Sequence, residues 1–179
     1  MGRKMKTDGL LHLYIGDGKG KTTAAIGMAV RMAGCGKKVF FSQFLKGRPT
    51  GELASFETMG ITLRRTADVK KFLPDMNEQE REQCAAQCRD CFAAAWEAMA
   101  SGKYALVVLD EVLDAVNCGM IARDALAAAL RGRHPETEVV LTGRNPGEEL
   151  MELADYVSEI VCRKHPYQRG IPARRGIEY

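Results

Sequence analysis

The segment that most constrains the fold is a glycine-rich turn near the start of the chain. The turn reads GDGKGKTT over residues 16–23; an apolar run precedes it at 10–15, and helix-forming residues follow it at 24–30. Glycines let backbone N–H groups point at anionic oxygens, a lysine adds mobile positive charge, and a threonine hydroxyl can reach magnesium. This order of strand, turn and helix predicts a phosphate loop rather than an ordinary surface turn.

The turn is one residue shorter than the usual phosphate loop, GxxxxGK followed by Ser or Thr. Only the segment Asp17-Gly18-Lys19 separates Gly16 from Gly20. We therefore expect the loop to hold phosphates differently from an ordinary ATPase. Lys19 and Lys21 are both predicted to face the nucleotide, with Lys21 as the phosphate-loop lysine.

Strands and helices are predicted to alternate along the whole chain. The predicted strands are 10–15, 39–44, 61–65, 104–109, 138–142 and 156–161. The predicted helices run from the loop to 33, then over 52–59, 76–101 with Asp75 or Asn77 as cap, 112–131 with a break at 117–119, and 148–155. This alternation predicts an α/β fold, a mostly parallel sheet with helices on both faces, of the phosphate-loop nucleotide-binding type. We expect one domain over residues 1–179, with 1–9 flexible and 162–179 an irregular tail.

Composition excludes several classes of function. A formal net charge of +3 is too small to predict a nucleic-acid partner. No window has the length and apolarity of a membrane span, and the N-terminus lacks the form of a signal peptide. We therefore expect a cytoplasmic protein with reduced cysteines and no membrane partner.

Three of the cysteines form a Cys84-x3-Cys88-x2-Cys91 cluster, a spacing that radical enzymes use to bind iron–sulfur clusters. The same spacing defines one face of a helix, and residues 78–99 contain no glycine or proline. We therefore favour buried helical cysteines and expect no iron–sulfur cluster. Trp96 lies in the same predicted helix and is expected to pack in the core.

Asp110 and Glu111 follow an apolar strand, as a Walker-B element does. A carboxylate there can hold the magnesium that bridges phosphate oxygens, although Asp is also a good helix N-cap. Spacing leaves open which of the two touches the metal. Arg144, Lys46 and Arg48 also follow strands, where they either reach a ligand or lie in solvated turns.

The chain contains no Ser/His/Asp or Cys/His arrangement that indicates nucleophilic catalysis, and no general base is obvious. Phosphoryl transfer to a hydroxyl, or hydrolysis, usually needs a group that orients or deprotonates the nucleophile. A nucleophile that is already strongly reactive does not need one.

Several motifs together resemble the ATP:corrinoid adenosyltransferases of the phosphate-loop type. They are GDGKGKTTAA, FLKG followed by GE, VVLDE, LTGRN, LADYVSEI and the closing RGIEY, in the family's order from about residue 10 to 179. The resemblance implies transfer of the 5′-deoxyadenosyl group of ATP to cobalt(I) of a corrinoid, with release of tripolyphosphate. The family's short loop holds ATP reversed, so that the ribose C5′ faces cobalt.

The resemblance also implies a set of site residues. It gives catalytic roles to Lys21, which stabilises the leaving group, and to Glu111, which holds magnesium with Thr22, leaving Asp110 as a further candidate ligand. Phe72 is the candidate contact for the corrinoid. The residues expected to bind ATP are Gly16, Asp17, Gly18, Lys19, Gly20, Lys21, Thr22, Thr23 and Arg144.

An electron donor that reduces cobalt, and a homodimer, are further implications of the resemblance. One alternative is a phosphate-loop small-molecule kinase or ATPase, which would release ADP. A second is a nucleotide-dependent regulatory protein whose arginine-containing tail binds nucleic acid or a partner. That tail has little aromatic interleaving, so this alternative is disfavoured.

Overall fold

A single sheet of parallel strands forms the centre of the molecule in a computed structural model that describes residues 8–66 and 75–179. The strands are β1 (Leu11–Ile15), β2 (Val39–Gln43), β3 (Thr62–Arg65), β4 (Leu106–Asp110), β5 (Glu138–Gly143) and β6 (Tyr156–Glu159). Their order in the sheet is β3-β2-β4-β5-β1-β6, and every pairing is parallel. The predicted parallel α/β fold is confirmed.

Helices cover both faces of this sheet. They are α1 (Lys21–Gly34), α2 (Glu52–Thr58), α3 (Glu78–Ala100), α4 (Val112–Asn117), α5 (Arg123–Arg131) and α6 (Glu148–Leu153), with a short 3-10 helix at Pro166–Arg169. In β4, Leu106 and Val108 pack in the apolar cluster beneath α1 and α2. Val107 and Leu109 alternate with them and pack in the cluster beneath α3, α4 and α5.

Helix α3 begins at Glu78, two residues after the predicted start and directly after one of the two predicted caps. The Asn77 side chain accepts a hydrogen bond from the Glu80 amide at 2.9 Å, and the Glu80 carboxylate accepts one from the Asn77 amide at 2.9 Å. This reciprocal capping box satisfies two backbone donors that the helix leaves free. Of the two predicted caps, Asn77 is therefore the one that the structure uses.

The cysteine stripe lies on the buried face of α3. Cys84, Cys88 and Cys91 are all buried, as predicted for helical core residues. Burial raises the pKa of Cys88 to about 12 and that of Cys91 to about 11, so both thiols are protonated at neutral pH.

One core prediction is wrong. Trp96 is 40% exposed, because it lies one residue beyond Ala95 on the helix and so about 100° around from the buried stripe. Its ring lies beside that of Phe92 at a ring-centroid distance of 5.9 Å. The predicted corrinoid contact Phe72 and residues 1–7 lie outside the described residues. Within those residues, no helix combines the length and apolarity that crossing a membrane requires.

The parallel arrangement brings four strand ends to one edge of the sheet. The phosphate loop follows β1, Lys46 follows β2, the Asp110–Glu111 pair ends β4, and Arg144 follows β5. Ligands bind at this edge in open α/β sheets.

Candidate active site

The loop after β1 is held by the backbone that follows β6. Gly18 N donates a hydrogen bond to Ile160 O at 2.7 Å. A Cβ atom would lie 2.5 Å from that carbonyl oxygen at Gly16 and 2.6 Å from it at Gly18. Glycine is therefore required at both positions by close packing against backbone, and at Gly16 also by a φ of 102°.

Lys21 is the first residue of α1 and folds its side chain back into the loop. Its Nζ donates to Gly16 O at 2.6 Å and to Gly18 O at 2.9 Å. Burial lowers the pKa of Lys21, and the nearby charge of Arg144 lowers it further. The ammonium therefore lies within the turn, where a phosphate loop presents its lysine.

Asp110 is fully buried at the end of β4 and accepts three hydrogen bonds from side chains. Its Oδ1 accepts from Thr22 Oγ1 at 2.8 Å and from Thr142 Oγ1 at 2.7 Å. Its Oδ2 accepts from Lys46 Nζ at 2.5 Å. The carboxylate thus connects the loop, the next strand and the segment after β2.

Glu111 has the left-handed backbone conformation, with a φ of 64°, at the N-cap position of α4. Its side chain makes no capping hydrogen bond, and its carboxylate lies 3.3 Å from Lys46 Nζ. The Glu111 amide donates to Thr142 Oγ1 at 2.8 Å. Burial raises the pKa of Glu111, and the opposing charge of Lys46 offsets part of that rise. The side chain therefore faces the site rather than capping the helix.

The loop and Glu111 line one cavity of about 740 Å³. Of the predicted ATP-binding residues, Gly16 is outside its lining, and so is Asp110, the further candidate metal ligand. Arg48, one of the open cases, is also outside the lining. The lining residues that the sequence singled out are Asp17, Gly18, Lys19, Gly20, Lys21, Thr22, Thr23, Lys46, Glu111 and Arg144.

Arg144 lies at the rim of this cavity between two carboxylates. Its Nε donates to Asp17 Oδ1 at 3.0 Å, and a terminal nitrogen donates to Asp114 Oδ1 at 3.2 Å. Both ion pairs hold the guanidinium beside the phosphate loop, so Arg144 is brought to the site as predicted.

Lys46 is the central residue that sequence reasoning left undecided. Its Nζ contacts Asp110 and Glu111 and also donates to Thr22 Oγ1 at 3.2 Å. Burial alone would lower the pKa of Lys46, but the two carboxylates outweigh burial and raise it. Its position after β2 indicated that it lies at the ligand-binding edge of the sheet. That position could not predict the direction of a long, flexible side chain.

Two further groups in the cavity wall were missed. The carboxylate of Glu52, at the start of α2, accepts a hydrogen bond from Nε2 of the fully buried Gln43 side chain at 2.9 Å. Glu178, in the tail, lies 3.9 Å from Lys19 Nζ, and that ammonium also donates to Ile177 O at 3.5 Å. The tail therefore reaches the phosphate loop, a contact that no local pattern predicts.

A likeness to a solved structure supports the fold. The chain matches EssC (ATPases 2 and 3) from Geobacillus thermodenitrificans with a TM-score of 0.50 at 17% sequence identity. The match covers 96% of this chain and 36% of that one, so this chain spans about a third of the EssC chain. At this identity the likeness extends to the fold alone.

Sequence relatives give the family. The family model described as ATP:corrinoid adenosyltransferase BtuR/CobO/CobP matches residues 7–179. The corrinoid adenosyltransferase of Escherichia coli K12 is 36% identical over 96% of this chain and 86% of its own length. The corrinoid adenosyltransferase CobA of Salmonella typhimurium is 34% identical over the same shares of the two chains. With a match over nearly its whole length, the chain belongs to the ATP:corrinoid adenosyltransferase family.

Proposed function

We propose that this protein transfers the 5′-deoxyadenosyl group of ATP to cobalt(I) of a corrinoid and releases tripolyphosphate. The observation that carries the proposal is the short phosphate loop, which lines one cavity with Glu111 and is hydrogen-bonded through Thr22 to the buried Asp110, in a chain that matches the family over residues 7–179. The kinase or ATPase alternative is not favoured, because the family match names a different reaction.

The reaction forms a cobalt–carbon bond and breaks the bond between C5′ and its oxygen. Cobalt(I) supplies both electrons of the new bond, and the electron pair of the broken bond leaves on tripolyphosphate. Negative charge therefore builds on the departing group. Lys21 and the amides of the loop lie where they would stabilise that charge.

We assign ATP binding to the loop and its neighbours. Lys19, Lys21 and Arg144 line the cavity and would supply positive charge to the phosphates of ATP. The residues assigned to ATP are Gly16, Asp17, Gly18, Lys19, Gly20, Lys21, Thr22, Thr23 and Arg144.

The cluster of oxygens beneath the loop fits magnesium. Thr22 Oγ1 and Asp110 Oδ1 are 2.8 Å apart. The ammonium of Lys46 contacts the carboxylates of both Asp110 and Glu111. A hydroxyl and carboxylates are the hard ligands that magnesium prefers, and a bound ammonium indicates a site built for a cation. We propose Thr22 and Glu111 as metal ligands, with Asp110 either ligating directly or orienting Thr22. When bound, magnesium would neutralise charge on the triphosphate.

Three remaining assignments rest on the family resemblance: a corrinoid contact at Phe72, an electron donor that reduces the corrinoid cobalt, and a homodimer. A cytoplasmic location is proposed from the sequence pattern alone. Comparison of Phe72→Ala with the unchanged protein tests the first of these through the KM for the corrinoid.

Mixing the protein anaerobically with ATP, magnesium and chemically reduced cobalamin tests the proposed reaction. We expect loss of the cobalt(I) spectrum and formation of a light-sensitive adenosyl product. ADP formation with an unchanged corrinoid would instead support a kinase or ATPase and reject the proposal.

A further inference from the structure

Lys46 lies at the centre of the oxygen cluster to which we assign the metal. Its ammonium is 2.5 Å from Asp110 Oδ2, 3.2 Å from Thr22 Oγ1 and 3.3 Å from Glu111 Oε1. The side chain is only 19% exposed, so these contacts replace its contacts with water. One ammonium thus touches all three candidate metal ligands.

The ammonium occupies the space among these oxygens that a divalent cation bound to all three would need. Magnesium binds oxygen at about 2.0–2.1 Å, which would place it within a few ångströms of Lys46 Nζ. Two cations at such a separation in a partly buried site repel strongly. Entry of the metal therefore requires the lysine to move.

The cavity offers the displaced ammonium a place near the phosphates. Lys46 lines the same cavity as Lys19 and Lys21 of the phosphate loop. Its long side chain can turn from the carboxylates towards that space without movement of the backbone that carries it.

We propose that Lys46 is an internal competitor of the divalent metal for Asp110, Glu111 and Thr22, and that metal binding redirects its ammonium to the triphosphate. The inference rests on the metal site of the proposed function. Binding of metal and binding of nucleotide then favour each other. The metal replaces the ammonium as the partner of the carboxylates, and the triphosphate replaces the carboxylates as the partner of the ammonium.

A purely structural ion pair makes a different prediction. If Lys46 only held Asp110 in place, its removal would disturb the cluster and weaken binding of a cation. If it competes with the metal, its removal frees two carboxylates and strengthens binding.

Manganese binding to the nucleotide-free protein, followed by electron paramagnetic resonance of free Mn²⁺, separates these cases. We expect Lys46→Met to bind Mn²⁺ at least about tenfold more tightly than the unchanged protein. The matched control is Lys19→Met, which removes the same charge from the same cavity but from a lysine that contacts Glu178 and Ile177 instead. It should change the affinity by less than about twofold.

Equal or weaker Mn²⁺ binding by Lys46→Met would overturn the proposal, as would an equal gain in Lys19→Met. A thermal denaturation series gives a second readout. Lys46→Met should melt at a temperature at least about 5 °C lower than the unchanged protein, and saturating Mn²⁺ should restore most of that loss. A loss that saturating Mn²⁺ does not restore would also contradict competition. Neither measurement contains ATP or corrinoid, so failure here is distinguishable from failure of adenosyl transfer.

Discussion

Asp110 is a buried carboxylate whose two oxygens accept hydrogen bonds from three side chains. Two of those donors, Thr22 and Lys46, lie within the proposed metal and phosphate site, and the third, Thr142, lies on the neighbouring strand. Thr142 also accepts a hydrogen bond from the Glu111 amide, which fixes the unusual backbone of that residue. The hydroxyl of Thr142 thus orients both carboxylates without lining the cavity itself.

Replacement of Thr142 by valine should therefore destabilise the fold. The change keeps the shape of the side chain but leaves a buried carboxylate oxygen and a backbone amide each short of one partner. We expect a loss of about 1–3 kcal/mol in the free energy of unfolding, measured by urea denaturation. The exposed Thr62→Val on β3 is the matched control, with an expected change within about 0.5 kcal/mol. Equal effects of the two substitutions would contradict this role of Thr142.

Replacement of Lys21 by alanine should abolish adenosyl transfer while leaving the fold intact. The lost charge faces the departing triphosphate, so we expect a fall of at least about a hundredfold in kcat. Circular dichroism should report an unchanged secondary structure. The exposed Lys103→Ala, which lies outside the cavity lining, should keep full activity. Near-normal turnover in Lys21→Ala would reject its proposed role.

The phosphate loop depends on an element far away in sequence. The backbone of Ile160, just beyond β6, packs closely against Gly16 and Gly18, and its carbonyl oxygen accepts a hydrogen bond from Gly18 N. Edge strand β6 is exposed along its length, yet its end fixes the shape of the loop at the start of α1. The short phosphate loop is therefore stabilised by the backbone after β6 as well as by its own hydrogen bonds.

Two glycine-to-alanine substitutions on either side of Lys21 should differ in effect: one should weaken ATP binding, and the other should stabilise the fold. At Gly18 a Cβ would lie 2.6 Å from a backbone oxygen, so Gly18→Ala should displace the loop and weaken ATP binding at least about tenfold. At Gly27, within α1, a Cβ meets nothing within 4 Å, so Gly27→Ala should stabilise the protein by about 0.5–1 kcal/mol. Isothermal titration calorimetry with ATP and urea denaturation measure the two outcomes. Normal ATP affinity in Gly18→Ala would show that close packing of Gly18 against the Ile160 carbonyl is not needed for ATP binding.

The parallel sheet, and the edge of it at which the candidate site residues lie, could be predicted from the sequence because both follow from local patterns. Apolar runs such as residues 104–109 alternate with segments of helical period, and parallel strands bring their carboxyl ends together. The contact of Lys19 with Glu178 was beyond such reasoning, since it joins residues far apart in the chain through exposed side chains. Trp96 was misplaced because its size outweighed its position, one residue outside the cysteine stripe of α3.

The pH dependence of stability of the whole protein should reveal the buried Glu111. Burial raises its pKa in the folded state above the ordinary value of 4.5. The stability that its protonated form contributes is therefore fully present below pH 4.5 and is lost as pH rises through the folded pKa. In Glu111→Gln this loss is absent. The difference in unfolding free energy, variant minus unchanged protein, should thus grow between pH 4.5 and 7 in urea denaturation. A difference that stays constant or shrinks over this range would contradict the expected shift.

In the proposed reaction, the protein breaks the bond between C5′ and oxygen in ATP and leaves all three phosphates joined. ATP labelled with ¹⁸O at the oxygen that joins C5′ to the α-phosphate tests it directly, with reduced cobalamin as acceptor and mass spectrometry of the products. We expect the label to appear in tripolyphosphate, in step with formation of the cobalt–carbon bond. Label retained in ADP or AMP, without labelled tripolyphosphate, would contradict it.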